Sequence, residues 1–267
     1  MKAGIDCGTT LVKAAWFKGE ELQLASLPPE SFDVAAARMR ADGVDSARVT
    51  GVGPRPAGLP AIREADGDPI ADEIALQAGG VRWLLERGGR PSGEFLLVSI
   101  GTGTSYAFVT RDGVERFPLG NAIGGGFIAG LARLLGVGDI RDVGALAMDS
   151  EPFDILVKDA MPSAAGTPQG EFVVAHFAKA RDADDGTALC RACASLLQTV
   201  AVTVVRDLML FGMQRKMPKD AVIIGTTVAA FAPLRRMLES YVPLTGMDPH
   251  FPKLGEFAAA IGALYAP

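Results

Sequence analysis

A chain of 267 residues, 49% hydrophobic and 21% charged, carries ample material for a core in one large domain or two lobes. A formal net charge of −5 gives no electrostatic reason to expect nucleic acid. No apolar run reaches the ~20 residues a bilayer-spanning helix needs, and MKAGID enters a glycine turn without the h-region of a signal peptide, so a cytoplasmic protein without a membrane partner is expected.

MKAGID reads as a short buried strand that turns at Cys7–Thr10. LVKAAWF and LQLASL then form a hairpin around Lys18-Gly19-Glu20-Glu21. FDVAAARMRADG is predicted to be a helix ending at Gly43, and SARVTGVG a strand that leads into the irregular loop GPRPAGLP. Asp72 is read as the N-cap of EIALQAGGVRWLLERGG, where Ile74, Ala78, Val81 and Leu85 recur at helical spacing. EFLLVSI is a continuous apolar strand of the kind buried on both faces. It leads into GTGTS and a second hairpin, YAFVTRDGVERFPL, that turns at Arg111-Asp112-Gly113. IGGGFIAGLARLLG follows as a glycine turn and a helix.

The remainder is expected to be mostly helical through Gly212, then to give a buried strand, AVIIG, and a last helix, GEFAAAIGALY. The order of elements is therefore duplicated, hairpin then glycine turn then helix. The boundary is placed near Glu94–Ser99, dividing lobes 1–97 and 98–267. Cys190 and Cys193 form a C-x-x-C inside a long apolar stretch, where buried small hydrophobes are a better reading than zinc or redox chemistry. His176 and His250 lie far apart in sequence and are assigned to structure.

Two turns end runs of β-formers on glycine and threonine: D-C-G-T-T-L-V-K and G-T-G-T-S. Small residues of this kind bring N–H groups and hydroxyls close to an anion. In the first, Gly8 allows close approach, Thr9 and Thr10 offer donors, Asp6 could hold Mg²⁺ and Lys13 could meet a phosphate. It is not a P-loop, because the glycine pattern is absent and the turn joins strand to strand. Alone it could be an ordinary tight hairpin. Gly101–Ser105 repeats the kit without the lysine, Gly124-Gly125-Gly126 opens a helix that would aim free N–H groups at an anion, and Gly225-Thr226-Thr227 makes a fourth small-residue turn.

The order D-x-G-x-T-x-x-K, a glutamate at the head of a helix, GTGTS, GGG-x-x-x-GL and GAIGALY resembles the type II pantothenate kinases, members of the actin-like superfamily of acetate and sugar kinases. The resemblance covers nearly the whole chain. It implies an α/β fold of two actin-like (ribonuclease H-like) lobes with mixed sheets and an ATP cleft between them, and a homodimer paired through helices of the second half. It also implies phosphorylation of the terminal hydroxyl of pantothenate with ATP and Mg²⁺. Phosphate and metal contacts then fall to Asp6, Gly8, Thr9, Thr10 and Lys13, with Asp6 on the metal. Thr102 and Gly103 lie between nucleotide and acceptor, Gly125, Gly126 and Gly225 line the nucleotide, and Arg141 and Thr226 sit near the base.

Glu73 matches the catalytic carboxylate, a general base for a hydroxyl that is a poor nucleophile. Asp72 competes for that role unless capping occupies it. The family also carries an arginine that holds the pantothenate carboxylate. Counted back from GGG without a gap, its place is Phe117, and Arg116 stands one residue earlier. In a strand that step changes the face, so Arg116 serves only if a bulge or gap corrects the register. Arg55 is the other candidate cation. The alternatives are an acceptor without a carboxylate, such as pantetheine, or a catalytically silent nucleotide- or coenzyme-A-binding regulator.

Overall fold

The computed structural model describes residues 1–59, 61–63, 68–90, 93–182 and 186–266. From the N-terminus run β1 (Lys2–Cys7), β2 (Val12–Lys18), β3 (Glu21–Leu27), α1 (Asp33–Ala41), β4 (Ser46–Thr50), β5 (Ala61–Arg63) and α2 (Pro69–Arg87). Then come β6 (Phe95–Ile100), β7 (Thr104–Val109), β8 (Val114–Arg116), α3 (Gly125–Leu134) and α4 (Asp142–Ala147). The last third holds β9 (Ile155–Leu156), α5 (Val157–Ala160), β10 (Val173–Ala175) and α6 (Ala188–Gln214). It ends with β11 (Asp220–Ile224), α7 (Thr226–Ala230), α8 (Ala232–Tyr241), β12 (Asp248–His250) and α9 (Ala258–Tyr265).

Among the described residues the strands form two five-stranded sheets and one two-stranded pair, β9 with β10. The first large sheet has the order β3-β2-β1-β4-β5 and the second β12-β11-β6-β7-β8. In each, an antiparallel meander of three strands continues into two parallel ones: β1 pairs with β4, and β6 with β11. The duplicated element order read from the sequence is thus a duplicated sheet topology.

Several expected boundaries are corrected. The cap of α2 lies four residues before Asp72: it is Asp68, its Oδ1 accepting from the Ile70 N–H at 2.9 Å, with Pro69 next. Strands β5, β9, β10 and β12 and helices α7 and α8 were not anticipated, and the stretch expected to be mostly helical holds the β9–β10 pair. These strands are two or three residues long, too short for an alternation to show. Pro249 is tolerated within β12 because β12 is an edge strand. The final proline of GPRPAGLP and residues 183–185 of the stretch expected to be helical lie outside the described residues.

α6 is long and apolar enough to cross a membrane by length and composition, contrary to the reading that no segment qualifies. Its side chains explain the composition otherwise. Cys193, Leu196, Leu197, Val200, Ala201, Val204 and Leu208 are packed into the core under the second sheet, and most of its apolar window is buried. It is the central core helix of that half. Both histidines tie strands together: His250 Nε2 lies 2.7 Å from Asp220 Oδ1 across β12 and β11, and His176 Nδ1 lies 2.7 Å from Asp154 Oδ2 beside the β9–β10 pair.

The site is positioned by two helices packed between the large sheets. α2 and α9 share one apolar cluster in which Ile74, Ala78, Val81 and Ile261 meet Ala15 of the first sheet and Leu97, Ala107 and Val222 of the second. Glycines set their separation. A Cβ on Gly262 would stand 1.8 Å from the Leu76 carbonyl oxygen, and one on Gly80 1.9 Å from that of Ala258. Gly4 of β1 meets the Ala260 oxygen in the same way. The last helix of the chain is therefore seated on the first sheet. Because backbone stands in the way, Gly262→Ala forces the helices apart and is expected to cost about 1–3 kcal/mol of stability. Thermal and urea unfolding read this directly, and an unchanged midpoint would mean the crossing has slack.

Candidate active site

Four small-residue turns converge. The β1–β2 turn meets the β6–β7 turn through hydroxyls: Thr9 Oγ1 is 3.2 Å and Thr10 Oγ1 3.4 Å from Thr102 Oγ1. The head of α3 docks on the second turn, with the Gly125 N–H donating to the Gly101 oxygen at 2.7 Å and the Gly126 N–H to the Thr102 oxygen at 2.8 Å. The turn after β11 joins the same point, as Thr227 Oγ1 donates to the Gly101 oxygen at 2.9 Å. Gly8 and Gly101, 93 residues apart in the chain, thus belong to neighbouring turns of one cluster.

This geometry changes what the glycine triplet does. Its N–H groups were expected to be free for an anion, but those of Gly125 and Gly126 are satisfied within the protein. The glycines are needed for contact instead. A Cβ on Gly125 would come 2.5 Å from Thr227 Oγ1, and one on Gly126 2.9 Å from Thr102 Cγ2. Gly225 has φ 112° and would place a Cβ 2.3 Å from the Ile100 oxygen, so only glycine fits there. The N–H groups of Thr9, Thr10, Thr102 and Gly103, and that of Gly124 in the triplet, make no hydrogen bond to another described residue. The first four belong to exposed or half-buried residues of the two facing turns.

Asp6, at the end of β1, is buried and pairs with Lys13 directly across the hairpin, Nζ to Oδ2 at 3.3 Å. Among the described residues no three metal-ligating side chains gather. One carboxylate beside a phosphate-binding turn suits Mg²⁺ that arrives on a nucleotide, since that ion is held by one or two carboxylates plus phosphate oxygens rather than by a protein cage.

Glu73 lies half-buried in the second turn of α2 rather than at its head. Burial pushes its carboxyl up to about 7, and the charge of Asp6 adds to the rise; Lys13, a hydrogen bond from Gln77 and Arg116 act against it. Gln77 Nε2 donates to Glu73 Oε1 at 3.0 Å. Asp72, expected to be occupied by capping, is occupied for another reason. Its carboxylate accepts from Arg48 Nη2 at 2.6 Å and from Thr50 Oγ1 at 3.0 Å. That tether fixes the start of α2 to β4 and leaves Glu73 as the carboxylate facing Asp6 and Lys13.

The register of β8 decides between Arg116 and Phe117. Arg116 stands opposite Ala107, and residues directly opposite share a face of the sheet. Ala107 belongs to the cluster under α2, so Arg116 lies on the Glu73 side, exposed and close enough to act on the Glu73 carboxyl. Phe117 points the other way. Its ring stacks on Phe211 of α6 at 3.9 Å and 28° and packs against Phe108. Arg116, one residue before the place that the ungapped count from GGG gives, lies on the Glu73 side without any bulge.

Arg55 braces its own loop, Nη1 donating to the Gly51 and Gly53 oxygens at 2.9 and 3.2 Å. That loop covers the first turn, where a Cβ on Gly53 would be 2.1 Å from the Gly8 oxygen. Arg141 is exposed, and the hydrogen bonds recorded for its side chain all go to Asp139, at the head of α4. The structure therefore gathers Asp6, Gly8, Thr9, Thr10, Lys13, Glu73, Thr102, Gly103, Arg116, Gly125, Gly126, Gly225 and Thr226, while the Arg55 guanidinium is turned onto its own loop and that of Arg141 onto Asp139.

Sequence reasoning missed Gln77, the Arg48–Asp72–Thr50 tether and the hydroxyl of Thr227. Gln77 stands at i+4 from Glu73, a legible signal; the others come together only through tertiary packing. A buried network beneath the second turn was missed too. Tyr106 Oη donates to Asp207 Oδ2 at 2.8 Å, and Asn121 Nδ2 donates to the same oxygen at 2.7 Å. Burial, then the charge of Asp207, pushes the Tyr106 phenol up. Asn121 bridges to Thr104 through both backbone groups, so the network anchors the segment that leads into the glycine triplet.

No protein-family model matches the chain. The type II pantothenate kinase of Staphylococcus haemolyticus is 27% identical over 277 residues, covering 99% of each chain. Among solved structures, the activator of the 2-hydroxyisocaproyl-CoA dehydratase from Clostridium difficile with bound ADPNP is similar at a TM-score of 0.63 and 16% identity. That match covers 98% of this chain and 92% of the other. A ROK family glucokinase from Streptomyces griseus, in complex with glucose and AMPPNP, matches at a TM-score of 0.53 and 12% identity, covering 98% and 97%. With its duplicated mixed sheets and the helices packed between them, the chain has the actin-like α/β fold.

Proposed function

We propose that this chain is an ATP-dependent kinase that phosphorylates the primary hydroxyl of pantothenate, the first step toward coenzyme A. The observation that carries the reading is Glu73. It is a carboxylate held near neutrality beside Asp6 and Lys13, where four turns meet, with Arg116 on the same side. Such a group can take a proton at physiological pH and stay ionised often enough to do so. The near full-length likeness to the Staphylococcus enzyme supports the acceptor, and the nucleotide analogues in the similar structures support ATP.

ATP with Mg²⁺ supplies the transferable phosphoryl group and neutralises its charge. The open N–H groups of Thr9, Thr10, Thr102 and Gly103 would receive phosphate oxygens, and Gly8 lets the backbone approach them. Lys13 would exchange part of its bond to Asp6 for a phosphate, and Asp6 would hold the metal. Gly125, Gly126 and Gly225 shape the nucleotide wall, with Thr226 and Arg141 proposed for the base end. The acceptor hydroxyl gives its proton to Glu73 as its oxygen bonds to the γ-phosphorus, and the bond to the ADP oxygen breaks. Arg116 would pair with the pantothenate carboxylate. The cleft is proposed between lobe 1–97 and lobe 98–267, a boundary that falls inside β6 (Phe95–Ile100) and is better set just before it, with α9 seated on the first sheet.

ADP release with pantothenate and with pantetheine as acceptors tests the proposal. Turnover with a lower KM for pantothenate is expected. A preference for pantetheine would assign Arg116 another role, and binding of nucleotide without turnover on either would favour a regulator.

We propose a homodimer as well. α6 exposes Leu210 and Met213 near its end, and a groove of about 200 Å³ is lined by apolar residues such as Val202, Val205, Met209 and Leu244 together with the charged Glu171 and Arg206. Sedimentation at micromolar concentration should give a species of twice the chain mass, and a monomer there would overturn this.

A further inference from the structure

Gln77 is 7% exposed, and its amide carries an imbalance. Nε2 donates to Glu73 Oε1 at 3.0 Å, while Oε1 is buried and has no hydrogen-bond partner. An unpaired buried carbonyl is costly, and a leucine would fill the same space without it. The cost has a use if the amide serves the neighbouring carboxyl. One amide end offers a donor and an acceptor related by a half-turn about a single torsion. In the present orientation it serves an ionised Glu73. Turned over, Oε1 would accept from a protonated Glu73. A donor serves the ionised carboxylate more strongly than an acceptor serves the neutral acid, so the amide lowers the Glu73 pKa while still offering the protonated form a partner.

The rest of the surroundings cannot make this exchange. Asp6 and Lys13 face Glu73 from β1 and β2 and are paired with each other. Arg116 faces it from β8 and can only donate. Asp72, on the same helix, is bound to Arg48 and Thr50. The start of α2 is held by that tether, so the helix cannot shift as the proton moves.

We propose that Gln77 is the positioning residue of Glu73: it holds Oε1, leaves Oε2 for the acceptor hydroxyl, and turns its amide to receive the hydrogen bond once Glu73 has taken the proton. This rests on Glu73 being the base of the proposed kinase.

The test is Gln77→Leu, with Gln77→Met as a second variant should the branched side chain fail to fold. Expected are a kcat lowered roughly 10–100-fold, the size of one hydrogen bond to a charged group, and an unchanged KM for ATP. The acid limb of the kcat–pH profile should move to higher pH, because the bond that lowers the Glu73 pKa is gone. Titration of the Glu73 carboxyl by ¹³C NMR, without substrates, should move the same way. An unmoved carboxyl titration and pH limb in either folded variant would overturn the proposal. Wild-type turnover in Glu73→Gln would overturn the base assignment instead, a result read independently of the NMR titration.

Discussion

Glu73→Gln is expected to lower kcat by ~10²–10⁴, the usual contribution of a positioned general base, while ATP affinity hardly changes. The amide keeps the size of the side chain but cannot take the hydroxyl proton. In the wild type, kcat should rise with pH through about 7, where the buried carboxyl ionises, and this limb should vanish in the variant. Stability should respond in the opposite sense. The folded carboxyl titrates at about 7, above its ordinary 4.5, so its favourable contribution is full below 4.5 and is lost as pH rises through 7. Glu73→Gln should therefore be the more thermostable protein at pH 8, with the advantage shrinking toward pH 4.5. Thermal melts at both pH values and steady-state ADP release check the pair. Wild-type turnover would move the proton to the substrate itself, because Asp72 is tied to Arg48 and Thr50.

Arg116→Ala should raise the KM for pantothenate roughly 10–150-fold, as expected for losing a charged donor to a carboxylate, and leave the KM for ATP nearly unchanged. Pantetheine, which has no carboxylate, should be used as before. Arg55→Ala is the control: its guanidinium braces the 51–53 loop, so a change in loop stability is expected rather than a loss of acceptor binding. Equal losses for pantothenate and pantetheine in Arg116→Ala would mean the arginine acts through Glu73 instead. Phe117→Arg, which moves a charge to the place given by the ungapped count, is expected not to improve the use of pantothenate. It would break the stack on Phe211 and put a guanidinium into an apolar cluster, so a lower melting temperature is expected.

The turns of the candidate site were legible in the sequence because small-residue turns recur four times, three of them after apolar strands, although any one alone could be an ordinary tight turn. Asp6, Gly8, Thr9, Thr10, Lys13 and Thr102 stand where the turns were read, and the duplicated order of elements announced a duplicated sheet. The start of α2 was misplaced for a local reason. Asp72 and Asp68 are both plausible caps in isolation, and Pro69 after Asp68 was the better signal. Gly125 and Gly126 of the triplet were misjudged because sequence shows that a glycine is needed but not whether it frees an N–H or admits a neighbouring backbone.

What the sequence by itself determined is the set of local conformations: strands from apolar alternation and runs, turns from glycine, helices from periodic apolar faces. These depend on interactions a few residues long. Which turns meet, which face Arg116 presents and why Asp72 is occupied were decided by tertiary structure. Each depends on partners far away in the chain: Thr102 for Thr9, Ala107 for Arg116, Arg48 for Asp72. The pKa of Glu73 belongs there too, since burial and the charge of Asp6 exist for it only after α2 has packed between the two sheets.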